Sequence, residues 1–223
     1  MQVGLTVEIG YTLSCVDDDR RERGSLTRDQ IDDQWRNLLT PEILRTRLIS
    51  CSIYLTAFHL LKASAVDRIK SFFTDGFKDG KILVSAEYST EVLARNRSPV
   101  YASLDWLKEN GALNNEDVAL YGRLAQHRND ISHALHANLL NETSMRELPV
   151  LFDQLRQLLR KIEVWWIVNV DMTIGQDDLP GDVAESDIVP GPVIMLDLMI
   201  GVALGSDDEA NRYLNEYLQV AGQ

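Results

Sequence analysis

One stretch of the chain, residues 42–75, contains neither proline nor glycine, and its apolar side chains recur every three or four positions. Thr40-Pro41 precedes it, and proline at the first position of a helix loses no backbone hydrogen bond. The spacing predicts one helix of about thirty residues, roughly 45 Å long. Its apolar stripe contains Leu44, Leu48, Cys51, Leu55, Phe58, Ala65, Ile69 and Phe72. His59 lies on the same helix, where we expect it to pack among apolar neighbours.

Shorter helices are predicted on either side of the long one, and the sequence contains no βαβ alternation and no internal repeat. Helix starts are indicated where a capping residue precedes an apolar repeat, and Gly111 marks one helix end. Predicted starts follow Thr27, Thr40, Ser98, Ser144 and Ser206, with another at Asn115. Glycines and aspartates in residues 74–81 predict a turn, with a short helix within residues 84–94. The predicted fold class is all-α, an antiparallel helical bundle.

Composition divides the chain into four parts. Residues 1–24 form an N-terminal segment, interpreted as a short strand and a charged loop, and residues 25–170 form the bundle. Residues 171–192 contain three prolines, three glycines and six acidic residues, which is typical of a linker. Residues 193–223 are predicted to form a helical pair that packs on the bundle or on another chain.

The negative charge is concentrated at the C-terminal end. The net charge is −12, of which the chain from Asp171 onward carries −10 and residues 1–170 carry −2. The net charge of the chain does not indicate the basic face that nucleic-acid binders usually show. The bundle, however, is nearly neutral, which allows a local basic cleft. The acidic tail either lowers the electrostatic potential for RNA near that cleft or simply completes the core with its apolar helix.

Other features exclude several classes of protein. The first residues lack a basic start followed by an apolar run, and the longest apolar run, 193–204, is shorter than the roughly 20 residues that cross a bilayer. We therefore expect a cytoplasmic protein with no membrane partner.

Cys15 and Cys51 form neither a disulfide framework nor a zinc-ligand spacing, and Cys51 is expected to pack in the core. Trp165-Trp166 fits a core or an interface better than a base-stacking site. The chain has no phosphate-binding glycine loop.

Residues 123–136, RLAQHRNDISHALH, hold two arginines and three of the four histidines of the chain. On a continuous helix, one apolar face would contain Leu120, Leu124, Ile131 and Leu135. His133 lies almost opposite that face, whereas Arg128 projects within it and needs a partner, because burying an unpaired guanidinium is costly. That partner is either an external anion or, in a structural salt bridge, a carboxylate on the long helix.

The six residues from Arg128 to His133, RNDISH, resemble the motif of the HEPN superfamily, helical-bundle proteins found as toxin and phage-defence ribonucleases. The preceding segment, LDWLKENGALNNEDVALYGRLAQH, is similar to the helix, short turn and acidic helix start that lead to the motif in that superfamily. The resemblance covers about residues 40–170. It implies a homodimeric, metal-independent endoribonuclease without a cofactor, with RNA as substrate and an antitoxin or defence-system protein as a further partner.

The resemblance also assigns roles to residues of the motif helix. His133 would transfer a proton as general acid or base, Arg128 would hold the phosphate, and Asn129 would orient the reactants. From its place one residue before the motif, His127 either helps to bind phosphate or is a solvated side chain, and Arg123 is a further candidate for substrate binding. Arg128 and His133 are about 140° apart around an ideal helix, so one straight helix does not bring them together. Either the arginine reaches around the helix, or the helix is locally irregular, or, as the resemblance implies, two copies of the motif meet across a dimer.

A second interpretation is a non-catalytic module that uses the same bundle for dimerisation or RNA binding, with Arg128 and His133 in structural roles. One branch of the superfamily, toxins paired with a nucleotidyltransferase antitoxin, has a tyrosine two residues after the motif histidine, and here that position is Leu135. A metal site is not expected, because His133 and His136 are three residues apart but lack a third ligand at a helical spacing.

Overall fold

A computed structural model describes residues 27–78, 80–140, 142–172 and 184–221. The predicted N-terminal strand and loop, Cys15 and half of the predicted linker lie outside these residues. Within the described ranges nearly all regular structure is helical, so the predicted all-α class is confirmed.

At the centre of the molecule lies the helix predicted to follow Thr40. Helix α2, Pro41–Lys62, continues through a π-helical turn, Ala63–Asp67, into helix α3, Arg68–Phe72. The three pieces form one rod, which confirms the predicted long helix. Among the described helices this rod alone has the length and composition to cross a membrane, although half of its most apolar window is buried inside the protein and core helices pass the same test.

Further α-helices surround or extend the rod. They are α1, Arg28–Leu39; α4, Pro99–Glu109; α5, Asn115–His133; α6, Leu135–Leu140; α7, Glu142–Trp166; α8, Gly191–Leu204; and α9, Asp207–Ala221. Shorter pieces are the π-helical turns Tyr88–Val92 and Ile167–Asp171 and the 3₁₀ turns Leu93–Arg95 and Glu185–Asp187. The short helix predicted within residues 84–94 therefore corresponds to two irregular turns.

Local signals fix where α4 and α5 begin. Helix α4 starts at Pro99, as predicted, and Gly111 beyond its end has φ +80, a left-handed conformation that glycine adopts without strain. Helix α5 starts at Asn115, as predicted. Its cap is Asn114, whose side chain accepts from the Asp117 N–H at 2.9 Å while the Asp117 carboxylate accepts from the Asn114 N–H at 2.7 Å. This reciprocal capping box fixes the start of the helix that carries the motif.

Residues 74–81, predicted as a turn, belong to a β-hairpin that spans residues 74–84, so the prediction of a turn alone was wrong. Strand β1, Thr74–Lys78, pairs antiparallel with strand β2, Lys81–Val84, and Gly80 between them has φ +73. The Asp-Gly pair that indicates a loop is also the preferred connection of a tight hairpin, and the pattern alone does not separate the two cases.

The start of α7 also differs from the prediction. The helix begins at Glu142, before the cap predicted at Ser144, and Pro149 lies inside it. Proline in a helix interior removes one backbone hydrogen bond, but the apolar stripe that follows is almost completely buried. Its buried members are Leu155, Leu158, Leu159 and Ile162. Tertiary packing therefore outweighs the local penalty.

The core lies where α2 packs against α5, α7 and α8. The central helix contributes Tyr54, Ala57 and Leu61, which are fully buried. At the α3 end of the rod, Trp106 of α4 and Trp166 of α7 stack with ring centroids 6.0 Å apart and planes 19° apart. Trp166 is 1% exposed, which confirms that this aromatic side chain belongs to the core.

The first of the C-terminal helices, α8, docks on the bundle. Val193 and Leu196 are fully buried. The guanidinium of Arg156 in α7 holds the carboxylate of Asp197 with hydrogen bonds of 2.6 and 2.7 Å. Helix α9 packs on α8, and the Ser206 hydroxyl accepts a backbone hydrogen bond at its start, as the predicted cap requires. These contacts support the interpretation in which the apolar helix completes the core.

Candidate functional site

Helix α5 carries the whole motif and ends at its last residue. After His133, the backbone of Ala134 leaves the helical region with φ −131 and ψ 40, and α6 starts at Leu135. Leu124 and Ile131 are buried, as predicted, but Leu135 is 37% exposed, so the predicted apolar face was wrong at its end. The break turns the chain, and Leu135 thus belongs to another helix.

Arg128 finds its partner in an aromatic ring. Its guanidinium carbon lies 5.1 Å from the centre of the Phe58 ring on α2, and the side chain is half-buried. Among the described residues it forms no ion pair, so the structural salt bridge considered above is absent there. The ring of Tyr121 also packs against Phe58, with ring centroids 5.5 Å apart. Burial raises the pKa of Tyr121 to about 12, while Arg128 acts to lower it, so the phenol stays neutral.

A cavity of about 400 Å³ opens beside this pair. It is lined by Leu55, Phe58, His59, Lys62, Arg128 and Ser132, and we call it the Arg128 cavity. His59 and Lys62 stand three residues apart on α2, so both reach the same face of that helix. In the described part of the chain neither forms an ion pair. Two permanent cations and one imidazole therefore face a single concave site, which suits an anion.

His59 was predicted to pack in the core, and this prediction was wrong. The side chain is exposed at the edge of the Arg128 cavity. Its chain neighbours Phe58 and Leu60 are apolar, but adjacent residues of a helix point about 100° apart and do not share a face. The signal that sequence reasoning missed is the spacing of His59 and Lys62, which places two basic groups beside the apolar stripe.

The other predicted site residues lie outside the lining of the Arg128 cavity. His133 is exposed at the end of α5, Asn129 is half-buried, and Arg123 is exposed five residues before the motif. Asn129 and His133 are four residues apart and share a face of the helix. A single protomer thus presents two neighbouring faces, one with Arg128 and the other with His133.

His127 packs on α2 instead of facing the cavity. Its ring meets the Tyr54 ring edge-on, with centroids 5.0 Å apart and planes 81° apart. The Nε2 atom is buried and has no hydrogen-bond partner in the described residues. Burial lowers the pKa of His127, and the carboxylates of Asp130 and Glu147 oppose this shift. The imidazole is therefore held in its neutral form against the core.

The described residues contain no group of three His, Cys, Asp or Glu side chains arranged to hold a metal ion. His136, the second histidine of the metal pair considered above, is exposed. Cys51 is 2% exposed, and burial raises the pKa of its thiol, which confirms that it packs in the core.

Neither a protein-family model, nor a curated protein, nor a solved structure matches this chain.

Proposed function

We propose that this protein is a cytoplasmic, metal-independent endoribonuclease of toxin or phage-defence type, built on a HEPN-like antiparallel bundle with an acidic C-terminal extension. The observation that carries the proposal is the guanidinium of Arg128, which lies over Phe58, has no carboxylate partner among the described residues, and shares a cavity with Lys62 and His59. The whole chain has a net charge of −12, yet two cations without an ion pair in those residues, Arg128 and Lys62, line this one cavity.

The Arg128 cavity is suited to a phosphodiester. A planar guanidinium binds two phosphate oxygens at once, and the ring of Phe58 holds that plane in place. Lys62 adds a point charge, and the hydroxyl of Ser132 adds a neutral donor or acceptor. These groups would also stabilise the extra negative charge that develops on the phosphate oxygens during cleavage.

Cleavage needs no metal in this scheme. The ribose 2′-oxygen attacks phosphorus and loses its proton to a base, the bond to the 5′-oxygen breaks, and that oxygen takes a proton from an acid. The products are a 2′,3′-cyclic phosphate and a 5′-hydroxyl. His133 is the proton-transfer group, because an imidazole both accepts and donates near neutral pH. Asn129, one turn earlier on the same face, would orient the reacting ribose.

The site is composite in this proposal. Arg128 and His133 point to neighbouring faces of one helix, so His133 of a second copy would complete the cavity of the first. A two-fold homodimer through α5 would also cover the face that carries Asn129 and His133. Arg123, which is exposed, would extend the RNA-binding surface along the helix, whereas His127, packed against Tyr54, would not contribute to it. An antitoxin or another defence-system protein would act by blocking this face.

The alternative is an RNA-binding or dimerisation module without catalysis. It is favoured by one observation: the lining of the Arg128 cavity includes neither Asn129 nor His133. Phosphate binding at the cavity is then independent of any proton transfer. The two functions differ in what a substitution at His133 changes, since only a catalyst would lose product formation while keeping affinity.

The test uses the full chain, an unstructured RNA, and EDTA throughout. We expect cleavage that leaves cyclic-phosphate ends, loss of cleavage with unchanged RNA affinity in His133→Ala, and loss of both in Arg128→Ala. His136→Ala is the matched control, since this exposed histidine lies outside the motif. Cleavage that requires a divalent metal, or that survives His133→Ala, would overturn the catalytic proposal. Binding without cleavage in the unmodified chain would establish the alternative.

A further inference from the structure

A second pocket lies near the opposite end of α2, between that helix and the start of α7. Its volume is about 360 Å³, within the range of roughly 300–1,000 Å³ that is common for small-molecule sites. It is lined by Glu42, Ile43, Thr46, Arg47, Ser50, Met145 and Leu148, and we call it the Arg47 pocket. Arg47 and Lys62 are 15 positions apart on one helix, about 22 Å, so this pocket is separate from the Arg128 cavity.

Arg47 is the reason to expect a ligand there. The residue is nine-tenths buried, yet within the described residues it donates a single hydrogen bond, from Nη1 to the carbonyl of Leu139 in α6. A guanidinium has five N–H donors, and in the described residues no carboxylate pairs with this one. Its other nitrogens are not among the polar atoms that are both sealed from solvent and without a partner, and Arg47 lines the pocket. A buried, unpaired cation of this kind is costly unless an anion compensates it.

The rest of the lining defines the shape and polarity of that anion. Ile43, Met145 and Leu148 provide an apolar wall, and methionine adapts to ligands of irregular shape. The Thr46 hydroxyl donates a hydrogen bond to the Glu42 carbonyl at 2.8 Å, and its oxygen can still accept a hydrogen bond. Glu42 lines the same pocket, and its negative charge would disfavour a ligand with several negative charges.

We propose that the Arg47 pocket binds a small amphiphilic monocarboxylate, with its carboxylate on the guanidinium of Arg47 and a short apolar chain against Ile43, Met145 and Leu148. One cation matches one negative charge, and the apolar wall gives affinity that a bare anion lacks. A carboxylate accepts two parallel hydrogen bonds from a guanidinium, which would satisfy donors that the protein leaves open. The site does not depend on the proposed ribonuclease activity.

The probe is hexanoate, titrated into the full chain by calorimetry and followed by thermal unfolding. We expect binding in about the millimolar range, with a rise in the melting temperature. 1-Hexanol, which has the chain without the charge, and inorganic phosphate, which has charge without the chain, should each bind about tenfold more weakly or not at all. Equal binding of hexanoate and hexanol, or of hexanoate and phosphate, would overturn the proposal.

Three variants assign the site. Arg47→Met keeps an unbranched stem and should weaken hexanoate about tenfold or more, because the charged hydrogen bonds are lost. Arg45→Met, on the same helix but exposed, is the matched control and should bind hexanoate as the unmodified chain does.

Glu42→Gln removes the nearby negative charge and should strengthen the binding of hexanoate. This last variant keeps the test decisive if Arg47→Met does not fold, and weaker binding in Glu42→Gln would contradict the assignment. Displacement of hexanoate by an RNA oligonucleotide would show a nucleic-acid site instead.

Discussion

The guanidinium carbon of Arg128 lies 5.1 Å from the centre of the Phe58 ring, so a cation of α5 packs on an aromatic ring of α2, and no carboxylate in the described part of the chain pairs with it. A salt bridge would neutralise the arginine, whereas a ring face orients it and leaves its charge uncompensated. The N–H groups at the edge of the guanidinium plane then remain available to an anion in the Arg128 cavity. Several measurable consequences depend on this and on neighbouring packing contacts.

Phe58→Leu should weaken RNA binding by about threefold to tenfold, because leucine offers no ring face to hold the guanidinium of Arg128. The same change should lower the free energy of unfolding by about 1–2 kcal/mol, since Phe58 is 3% exposed in the core. Fluorescence anisotropy with labelled RNA measures the first effect and urea unfolding the second. Phe72→Leu, an aromatic change on the same rod at a 51% exposed position, should leave RNA affinity unchanged. An equal loss of affinity in both variants would contradict the role of Phe58.

The packing of His127 against Tyr54 predicts a loss of stability in mild acid. Burial lowers the pKa of His127 below the 6.5 of an exposed histidine, so the unfolded chain takes up this proton first as pH falls. The contribution of His127 is therefore complete above pH 6.5 and is lost as pH falls from there to the folded-state pKa. Urea unfolding at about pH 7.5 and about pH 5.5 should show a smaller difference in His127→Gln than in the unmodified chain.

The matched control for this effect is His136→Gln, at an exposed position just beyond α5. It should keep the pH dependence of the unmodified chain, because an exposed imidazole loses no hydration on folding. If His127→Gln also kept the full pH dependence of stability, the assignment of His127 as a buried, neutral imidazole would be wrong.

Helix α8 should prove to be part of the core. Leu196 is fully buried, and Leu196→Ala should lower the free energy of unfolding by about 2–5 kcal/mol through lost burial and a residual cavity. Ile194, two residues earlier, is 46% exposed, and Ile194→Ala should lower the free energy of unfolding by less than about 1 kcal/mol.

A chain truncated after Val170 should aggregate or melt at lower temperature, because the surface under α8 would be exposed. A stable truncated chain with raised RNA affinity would support an autoinhibitory tail instead.

Gly205, between α8 and α9, should not tolerate a side chain. A Cβ atom there would lie 2.2 Å from the carbonyl oxygen of Gly201, a backbone atom that has no rotamer to relieve the clash. Gly205→Ala should therefore cost about 1–3 kcal/mol in thermal unfolding and loosen α9, seen as faster proteolysis within that helix. At Gly191 a Cβ atom would meet nothing within 4 Å, so Gly191→Ala should be neutral or slightly stabilising.

Features that depend on local chemistry could be predicted from the sequence. The long rod follows from apolar spacing without a breaker, and the starts at Pro99 and Asn115 follow from residues that cap or begin helices. The break after His133 has no such signal, since no glycine or proline lies in residues 123–136. The placement of Leu135 on the core face was consequently wrong.

The candidate site could be predicted only in part, because its geometry depends on how two helices are rotated against each other. The motif helix and the need of Arg128 for a partner were evident from the sequence. Which residue of α2 stands opposite is a property of packing, and Phe58 occupies that place instead of a carboxylate. His59 and the concave shape of the Arg128 cavity follow from the same packing and could not be read from one helix alone.

The π-helical turn Ala63–Asp67 makes the rod behave like a regular helix into which one amino acid has been inserted. Everything beyond the turn is rotated by about 100° relative to an uninterrupted α-helix. That rotation directs Arg68 to Glu163 of α7 and to Asp171. Loss of a single codon within residues 63–67 would thus leave a sequence that still looks like an unbroken helix, while turning this arginine away from both carboxylates. Descendants of this gene are expected to change length in the hairpin Thr74–Val84 far more readily than in this turn.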